Sequence, residues 1–224
     1  MLKIGEKMKI LDLSRPITDG MYHFSGDPVP QVKTFSTIEE KGWALTEFTL
    51  GSHSGTHADA PCHKVKGAST IDEVPLEKFF GEAIVLDLSY KKPDESITAK
   101  DLEKAANDRI RPSDIVLILT GMASHWGKEE YLTKYPYLTE AAAKWLVNSK
   151  VKLVGIDWLT VEKFGSKDGL AHRALLENGT PIVENLVNLE KIKDERVLFA
   201  CFPLRLAGVD GAPTRAVAIK TKKR

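Results

Sequence analysis

The chain has 224 residues, which is long enough to bury a substantial core in one large domain or two small ones. Its 32 basic and 31 acidic residues give a net charge of +1, so no broad electrostatic field favours nucleic acid or an anionic membrane. No apolar run approaches the ~18 to 20 residues of a transmembrane helix, and the first residues lack the apolar core of a secretory signal. Two cysteines cannot build a disulfide framework and are typical of a reducing cytosol. We therefore expect a cytoplasmic protein with no nucleic-acid or membrane partner.

Seven segments rich in valine, isoleucine and leucine end near glycine, proline, aspartate or serine, and this pattern predicts strands. The predicted strands are 9–13, 45–50, 82–88, 114–120, 151–157, 196–202 and 215–220. The run 115–119 is continuously apolar, which is typical of a strand buried on both faces of a sheet. Segment 45–50 instead alternates, with Phe48 and Leu50 on one face, which predicts one buried and one exposed face.

Helices are predicted between these strands. Thr98 is the expected N-cap of a helix that ends near residue 107, and Thr139 is the expected N-cap of a helix over 140–147. The inward stripe expected for the second helix consists of Ala141, Ala142, Trp145 and Leu146. The alternation of strands and helices predicts one α/β domain over residues 1–224 with a mixed β-sheet, whose strand order the pattern leaves open.

The segment richest in metal-binding side chains is His53-Ser-Gly-Thr-His57-Ala-Asp59-Ala-Pro-Cys-His63. Its internal glycine and proline argue against a helix and favour an extended turn. In extended backbone, residues two apart point the same way, so His57 and Asp59 can converge on one ion while the bend before them brings His53 back towards it. Two neutral imidazoles and a carboxylate suit zinc and leave one coordination position open, as in catalytic zinc sites. A closed structural metal site or a hydrogen-bonded polar turn would use the same side chains.

A third predicted helix, over 171–177, supplies another histidine. His172 falls in its first turn, and the helix is closed by Asn178-Gly179. After that turn the chain doubles back along the extended stretch 181–184, so Glu184 can approach His172. The spacing alone is a weak signal, because a capping or surface role is common for either residue.

Seven motifs follow one another along nearly the whole chain. They are Asp12-Leu-Ser14, Ser25-Gly26-Asp27-Pro28, the histidine-rich segment, Gly155-Ile-Asp157, Ala171-His172-Arg-Ala-Leu-Leu-Glu-Asn-Gly179, Glu184-Asn185-Leu186 and Asp210-Gly-Ala-Pro213-Thr-Arg215. In this order they resemble the metal-dependent cyclase family that includes bacterial kynurenine formamidases and isatin hydrolases. The resemblance implies a mixed-sheet α/β domain of the swivelling β/β/α type, usually a homodimer.

The resemblance also implies metal ligands and one acid–base residue. The implied ligands are His53, His57, Asp59, His172 and Glu184, with Asp59 bridging two metal positions. His63 matches the catalytic acid/base of the family. Zinc is the expected cofactor, at one or two ions per subunit, and the same ligands accommodate manganese.

These roles predict a hydrolase. Zinc lowers the pKa of its water towards roughly 7, so hydroxide is available at neutral pH to attack a carbonyl, and a second ion would stabilise the negative charge that follows. His63 would pass a proton to the departing amine, a role worth ~10² to 10⁴ in rate. The predicted reaction is hydrolysis of an amide bond in a small aryl substrate, such as conversion of N-formylkynurenine to kynurenine and formate.

The sequence constrains the identity of the substrate less than it constrains the metal ligands. Phe24 occupies the place where formamidases of the family have a pocket-lining tryptophan, and Ser25 replaces their usual proline. Phe24 can stack on an aryl ring, or it can pack in the core. Hydrolysis of a cyclic amide or lactone, a cyclisation, or non-catalytic metal binding would use the same ligands. His125 is expected in a loop near the site rather than as a ligand, and Cys62 is expected outside the ligand set.

Overall fold

The computed structural model describes residues 8–193 and 195–221, which contain thirteen strands and five α-helices. The strands are β1 Met8–Asp12, β2 Gln31–Ser36, β3 Leu45–Thr49, β4 His57–Asp59, β5 Phe80–Asp87, β6 Ser96–Ile97, β7 Ile115–Leu119, β8 Tyr137–Leu138, β9 Leu153–Ile156, β10 Ile182–Glu184, β11 Arg196–Ala200, β12 Gly211–Pro213 and β13 Val217–Thr221. The helices are α1 Ile38–Lys41, α2 Ala99–Ala106, α3 Glu129–Thr133, α4 Glu140–Asn148 and α5 Leu170–Leu176. None of these helices is both long enough and apolar enough to span a bilayer.

Nine strands form one mixed sheet in the order β1-β13-β11-β5-β7-β9-β10-β4-β12. The central strands β5, β7, β9 and β10 run parallel, and antiparallel neighbours flank them on both sides. This arrangement confirms the mixed α/β sheet predicted from the sequence. It also brings β10, β4 and β12 together at one end of the sheet.

The central strand β7 is buried on both faces, as its continuously apolar sequence predicts. Val116 and Ile118 belong to one core cluster, together with buried side chains of α2, α4 and α5. Leu117 belongs to a second core cluster on the opposite face, with Phe79 and Phe199. Burial of one such side chain stabilises the folded state by about 1.5–3 kcal/mol relative to leaving it exposed. The sheet is therefore a rigid support for the loops at its edges.

The N-caps of α2 and α4 are the residues predicted from the sequence. The Thr98 hydroxyl accepts a hydrogen bond from the Asp101 backbone N–H, and the Asp101 carboxylate accepts one from the Thr98 N–H, which forms a capping box. Thr139 accepts a hydrogen bond from the backbone N–H of Ala142. Both helices therefore begin where their capping residues predict.

The predicted inward stripe of α4 is correct in part. Ala142 and Leu146 are buried and Trp145 is half-buried against the core, but Ala141 is exposed and Ala143 is buried instead. The observed stripe follows the three- and four-residue spacing of a helical face, from which Ala141 is rotated away.

The environment of β3 differs from the prediction. This strand pairs with β2 in a two-stranded hairpin outside the nine-stranded sheet, and its five residues are all exposed. Phe48, which was expected on a buried face, is 62% exposed. The predicted buried face is therefore wrong, because alternation distinguishes two faces of a strand without specifying that another layer covers one of them.

Asp157 links the ends of β7 and β9. Its carboxylate accepts hydrogen bonds from the Thr120 backbone N–H at 2.9 Å, the Thr120 hydroxyl at 2.6 Å and the Gly121 N–H at 2.7 Å. The side chain is fully buried, and burial raises the pKa of Asp157 to about 6. The motif Gly155-Ile-Asp157 therefore has a structural role, because it joins the ends of two neighbouring strands.

Candidate metal centre

Strand β4 presents two of the predicted ligands, His57 and Asp59, on one face. Glu184 in β10 lies directly opposite His57 in the antiparallel register, which brings its side chain to the same face. Gly211 in β12 lies opposite Asp59 on the other side, and a Cβ at this position would lie 2.8 Å from the Ala58 carbonyl oxygen and 3.1 Å from Cε1 of His53. A glycine here therefore lets β12 lie close to β4 and leaves room for the His53 ring.

The five predicted ligands converge around Asp59. Its Oδ1 lies 2.9 Å from Nδ1 of His53 and 3.3 Å from Nε2 of His57, and its Oδ2 lies 3.5 Å from Nε2 of His172. Glu184 closes the cluster, with Oε2 at 3.6 Å from Nε2 of His57 and Oε1 at 3.5 Å from Nε2 of His172. The structure thus brings together side chains from the loop before β4, from β4 itself, from α5 and from β10.

The chemistry of this cluster fits a divalent cation. Asp59 and Glu184 are buried carboxylates, which need compensating positive charge. Nε2 of His57 and Oδ2 of Asp59 are buried without a hydrogen-bond partner, a situation that is rare for polar atoms in protein interiors. A cation bound among these atoms would satisfy the unpaired nitrogen and oxygen and balance the carboxylates.

When no cation is bound, protons on the histidines supply the positive charge that balances these carboxylates. Burial opposes protonation of His53, but Asp59 and Asp210 raise its pKa to about 10. Burial also opposes protonation of His57, yet the nearby carboxylates of Asp59 and Glu184 raise its pKa to about 9. A cation must displace these protons, so its binding strengthens as the pH rises.

A hydrogen-bond network behind the cluster orients His57. Its Nδ1 lies 2.9 Å from the carbonyl oxygen of Gly55, and because a carbonyl can only accept, Nδ1 carries the proton and Nε2 faces the cluster. Asn185 Nδ2 donates to the same carbonyl at 3.0 Å, while Asn185 itself accepts hydrogen bonds from the hydroxyls of Tyr131 and Thr56. The sequence places Asn185 in a family motif, and the structure shows that its role is to hold the Gly55 carbonyl that orients His57.

Glu162 orients His172 in a similar way. Its Oε1 accepts a hydrogen bond from the His172 backbone N–H at 2.8 Å and lies 3.2 Å from Nδ1 of the ring, which leaves Nε2 towards the cluster. The carboxylate of Glu184 is held separately, by the Val161 backbone N–H at 3.0 Å. Glu162 was not predicted from the sequence, where it belongs to no motif.

His63 lies beside the cluster, at the end of the short 3₁₀ helix Pro61–His63. Its ring centroid is 4.3 Å from that of His53 and 5.6 Å from that of His172. Its Nδ1 lies 3.1 Å from Oδ2 of Asp210. Burial lowers the pKa of His63, so the ring is mainly neutral at pH 7 and can accept a proton. Asp210 belongs to one of the sequence motifs, but the sequence analysis predicts no role for it.

The cluster opens into a cavity of about 300 Å³. Its walls include Tyr22, His23, Phe24, Tyr135, Leu159 and Lys163. Phe24 is 41% exposed, so a role for it in the core is wrong. The hydroxyl of Tyr135 is buried without a hydrogen-bond partner, and it therefore offers a polar contact to a molecule in the cavity.

Two other candidate residues lie outside this arrangement. His125 pairs with Glu130 and does not contribute to the cavity wall. Cys62 is half-buried, and its Sγ lies 3.7 Å from the carbonyl oxygen of Val209. Within the described part of the chain, neither residue belongs to a group of side chains that could hold a metal ion.

The fold and the cluster together define an α/β protein with a buried histidine–carboxylate cluster, able to hold a metal ion, beneath a cavity. The Cyclase family ("Putative cyclase") matches residues 11–163. A kynurenine formamidase of Bacillus cereus is 29% identical over 208 residues, which is 92% of this chain and 95% of that protein. The chain belongs to the Cyclase family, which confirms the resemblance seen in the sequence.

Solved structures have the same fold. An isatin hydrolase A from Labrenzia aggregata, bound to benzyl benzoate, superposes with a TM-score of 0.87 at 21% identity, covering 96% of this chain and 94% of that chain. A potential metal-dependent hydrolase with cyclase activity superposes with a TM-score of 0.80 at 29% identity, covering 97% of this chain and 100% of that chain. The fold class predicted from the sequence is therefore confirmed.

We expect His172→Ala and Glu184→Gln each to weaken zinc binding by more than about 100-fold, because changes to residues behind metal ligands already cost roughly 10–100-fold. Bound metal per chain after dialysis, measured by mass spectrometry, and the rise in Tm on adding zinc would both fall. Glu130→Gln is the matched control, since it alters a histidine–carboxylate pair outside the cavity. Zinc binding at the wild-type level in both cluster variants would rule out these ligands.

Proposed function

We propose that this protein is a metal-dependent hydrolase that cleaves an amide bond in a small aryl substrate, in the manner of an arylformamidase that converts N-formylkynurenine to kynurenine and formate. The observation that carries the proposal is the convergence of five ligand-type side chains and His63 at the base of one cavity. The kynurenine formamidase of Bacillus cereus, similar over almost the whole chain, supports the class of substrate.

We infer one catalytic domain over residues 1–224. The family match ends at residue 163, whereas His172, Glu184 and Asp210 lie beyond it. These three residues contact His57, Asp59 or His63 in the cluster, so the site needs both parts of the chain.

The proposed cofactor is zinc, at one or two ions per subunit, and manganese is compatible with the same nitrogen and oxygen donors. Asp59 is suited to bridge two ions because Oδ1 faces His53 and His57, whereas Oδ2 faces His172. When bound, the cation would supply Lewis acidity that activates water near neutral pH and stabilises negative charge on the carbonyl oxygen.

His63 is the proposed acid–base residue. Asp210 occupies its Nδ1, so Nε2 is the ring atom free to exchange a proton. In the overall reaction, water adds to the carbonyl carbon and the C–N bond breaks. The departing nitrogen takes up a proton from Nε2, and the products are a carboxylic acid and an arylamine. The lowered pKa of His63 suits a group that must first accept this proton from water.

We expect His63→Ala to lower kcat by ~10² to 10⁴ while the bound metal per chain stays unchanged, because the ring moves a proton without belonging to the ligand set. Steady-state kinetics and metal analysis of the same preparation test this. His125→Ala is the control, since that histidine lies outside the cavity wall. Retained turnover, or loss of metal, would contradict the assignment.

The cavity suits a small aromatic molecule. Its volume of about 300 Å³ lies at the lower end of ligand pockets, and Tyr22 and Phe24 offer aromatic surfaces for an aryl ring. Lys163 and Tyr135 add polar groups to the wall. A substrate with one aromatic ring and polar substituents matches this lining.

Hydrolysis of a cyclic amide or lactone is the second candidate, and cyclisation would use the same centre. The observation that favours it is Phe24, which leaves the cavity without the tryptophan expected from the formamidases. Bond breaking in a ring needs the same cation and the same proton transfer. A metal-binding protein without catalysis is a weaker candidate, because His63 and a cavity above the cluster serve no purpose in it.

We expect zinc- or manganese-loaded enzyme to hydrolyse N-formyl arylamines faster than isatin-like lactams and lactones, and we expect chelation to abolish all three activities. The measurement is kcat/KM across the panel before and after chelation and reloading with each metal. Faster turnover of lactams would favour the second candidate, and full activity of metal-free protein would exclude a metal-dependent reaction.

Phe24 tests the same assignment from the substrate side. Phe24→Ala should raise KM for aryl substrates by about 10-fold, given that an aromatic pair adds ~0.5–1.5 kcal/mol beyond its buried area. Phe202→Ala is the control, because Phe202 is similarly exposed but stacks on Phe80 away from the cavity. An unchanged KM in Phe24→Ala would mean that this side chain does not bind substrate.

The protein is further proposed to be a cytoplasmic homodimer. Both cysteines are free, which suits a reducing compartment. The β2–β3 hairpin exposes Phe35, Leu45 and Phe48, which are 53%, 47% and 62% exposed. A second copy that covers these apolar side chains would remove them from water.

Phe48→Glu should therefore shift the molecular mass measured by light scattering from dimer towards monomer. Lys33→Glu, on the same hairpin but without an apolar side chain, is the control. A monomer in the wild type, or a dimer unaffected by Phe48→Glu, would contradict docking through the hairpin.

A further inference from the structure

We propose that Asp210 is a positioning residue that orients a metal ligand, His53, and the acid–base residue, His63, through one carboxylate oxygen. Oδ2 of Asp210 lies 2.8 Å from Nε2 of His53 and 3.1 Å from Nδ1 of His63. This inference rests on the proposed function for the role of His63. The contact with His53 concerns metal binding alone and does not depend on the substrate.

The backbone around Asp210 is held in place from several directions. The Asp210 carbonyl accepts a hydrogen bond from the Ala60 N–H at 2.9 Å, and the Val209 carbonyl accepts one from the Ile71 N–H at 2.9 Å. The Gly208 N–H donates to the Asp72 carboxylate at 3.0 Å. Ala60 lies between the ligand Asp59 and the short helix that ends at His63, so the position of Asp210 is fixed relative to both.

The shared carboxylate determines which nitrogen of each imidazole is available for its function. Because a carboxylate only accepts, Asp210 keeps a proton on Nε2 of His53. Nδ1, which lies 2.9 Å from Asp59, is then the nitrogen that would give up its proton to bind a cation. By the same reasoning Asp210 fixes a proton on Nδ1 of His63 and leaves Nε2 to exchange protons. Loss of the carboxylate would allow either ring to turn or to adopt the other tautomer.

The charge of Asp210 matters as much as its geometry. The His53 and His63 ring centroids are only 4.3 Å apart. If His53 held a cation, a proton accepted by His63 would be repelled by that positive charge, and the negative charge of Asp210 would reduce the repulsion. A carboxylate ordinarily ionises well below pH 7, so Asp210 contributes negative charge within hydrogen-bond distance of both rings.

The test compares Asp210→Asn with Asp72→Asn in the full-length, zinc-loaded protein. Asparagine keeps the shape of the side chain but removes the charge, and a change to such a residue behind a ligand typically costs roughly 10–100-fold. We expect Asp210→Asn to weaken zinc affinity, measured by competition with a chelator, by about 10-fold or more, and to lower kcat by a similar factor with little change in KM. Asp72→Asn weakens the anchor of the same loop without contacting a histidine, and we expect near wild-type values.

Two further measurements separate this role from folding and from the substrate assignment. Nitrogen-15 NMR of the zinc-loaded protein should detect a proton on Nδ1 of His63 in the wild type and a mixture of tautomers in Asp210→Asn. In a His63→Ala background, Asp210→Asn should still weaken zinc binding but should lower kcat by a smaller factor. If no amide is hydrolysed by the wild type, the proposed function fails, while zinc affinity and the His63 tautomer still decide the role of Asp210.

Wild-type zinc affinity together with an unchanged His63 tautomer in Asp210→Asn would overturn the proposal. Equal losses in Asp72→Asn would also overturn it, because they would assign the effect to the anchoring of the loop rather than to the shared carboxylate.

Discussion

The site depends on two carboxylates that are buried beside each other. Asp59 and Glu184 come from neighbouring strands. Burial and the negative charge of Asp59 oppose ionisation of Glu184, but contacts with His172 and His57 lower its pKa below the usual value. Neither carboxylate is stable in a protein interior without positive charge nearby, so the three imidazoles of the cluster surround them. The register of β4 against β10 sets this arrangement, because a slip of one residue would turn Glu184 to the opposite face of the sheet.

The sequence predicts the part of this site that is local. His57 and Asp59 are two residues apart in extended backbone, and their shared direction follows from that spacing alone. His172 and Glu184 needed the family resemblance, since their approach depends on how α5 packs on the sheet. Asp210 was beyond such reasoning because its partners lie 157 and 147 positions away in the chain, and no periodicity encodes hydrogen bonds at that separation.

The same distinction applies to the fold. The continuously apolar run in β7 predicted a strand covered on both faces, and Thr98 and Thr139 predicted where two helices begin. The strands that hold the ligands, β4 and β10, have only three residues each, which is too short for a periodic signal. Local sequence constrains the substrate less than it constrains the metal ligands, because the same ligands can activate many carbonyl compounds. The choice of substrate depends on side chains from separate loops that meet in the cavity.

The brevity of β4 and β12 has a consequence for the stability of the protein. Three-residue strands contribute few ladder hydrogen bonds, so this end of the sheet depends on its buried side chains, among them the carboxylates of Asp59 and Glu184. A cation held by β4, β10 and α5 would join these three elements and would stabilise the folded chain by mass action. Metal binding would then contribute to the stability of the protein as well as to its chemistry.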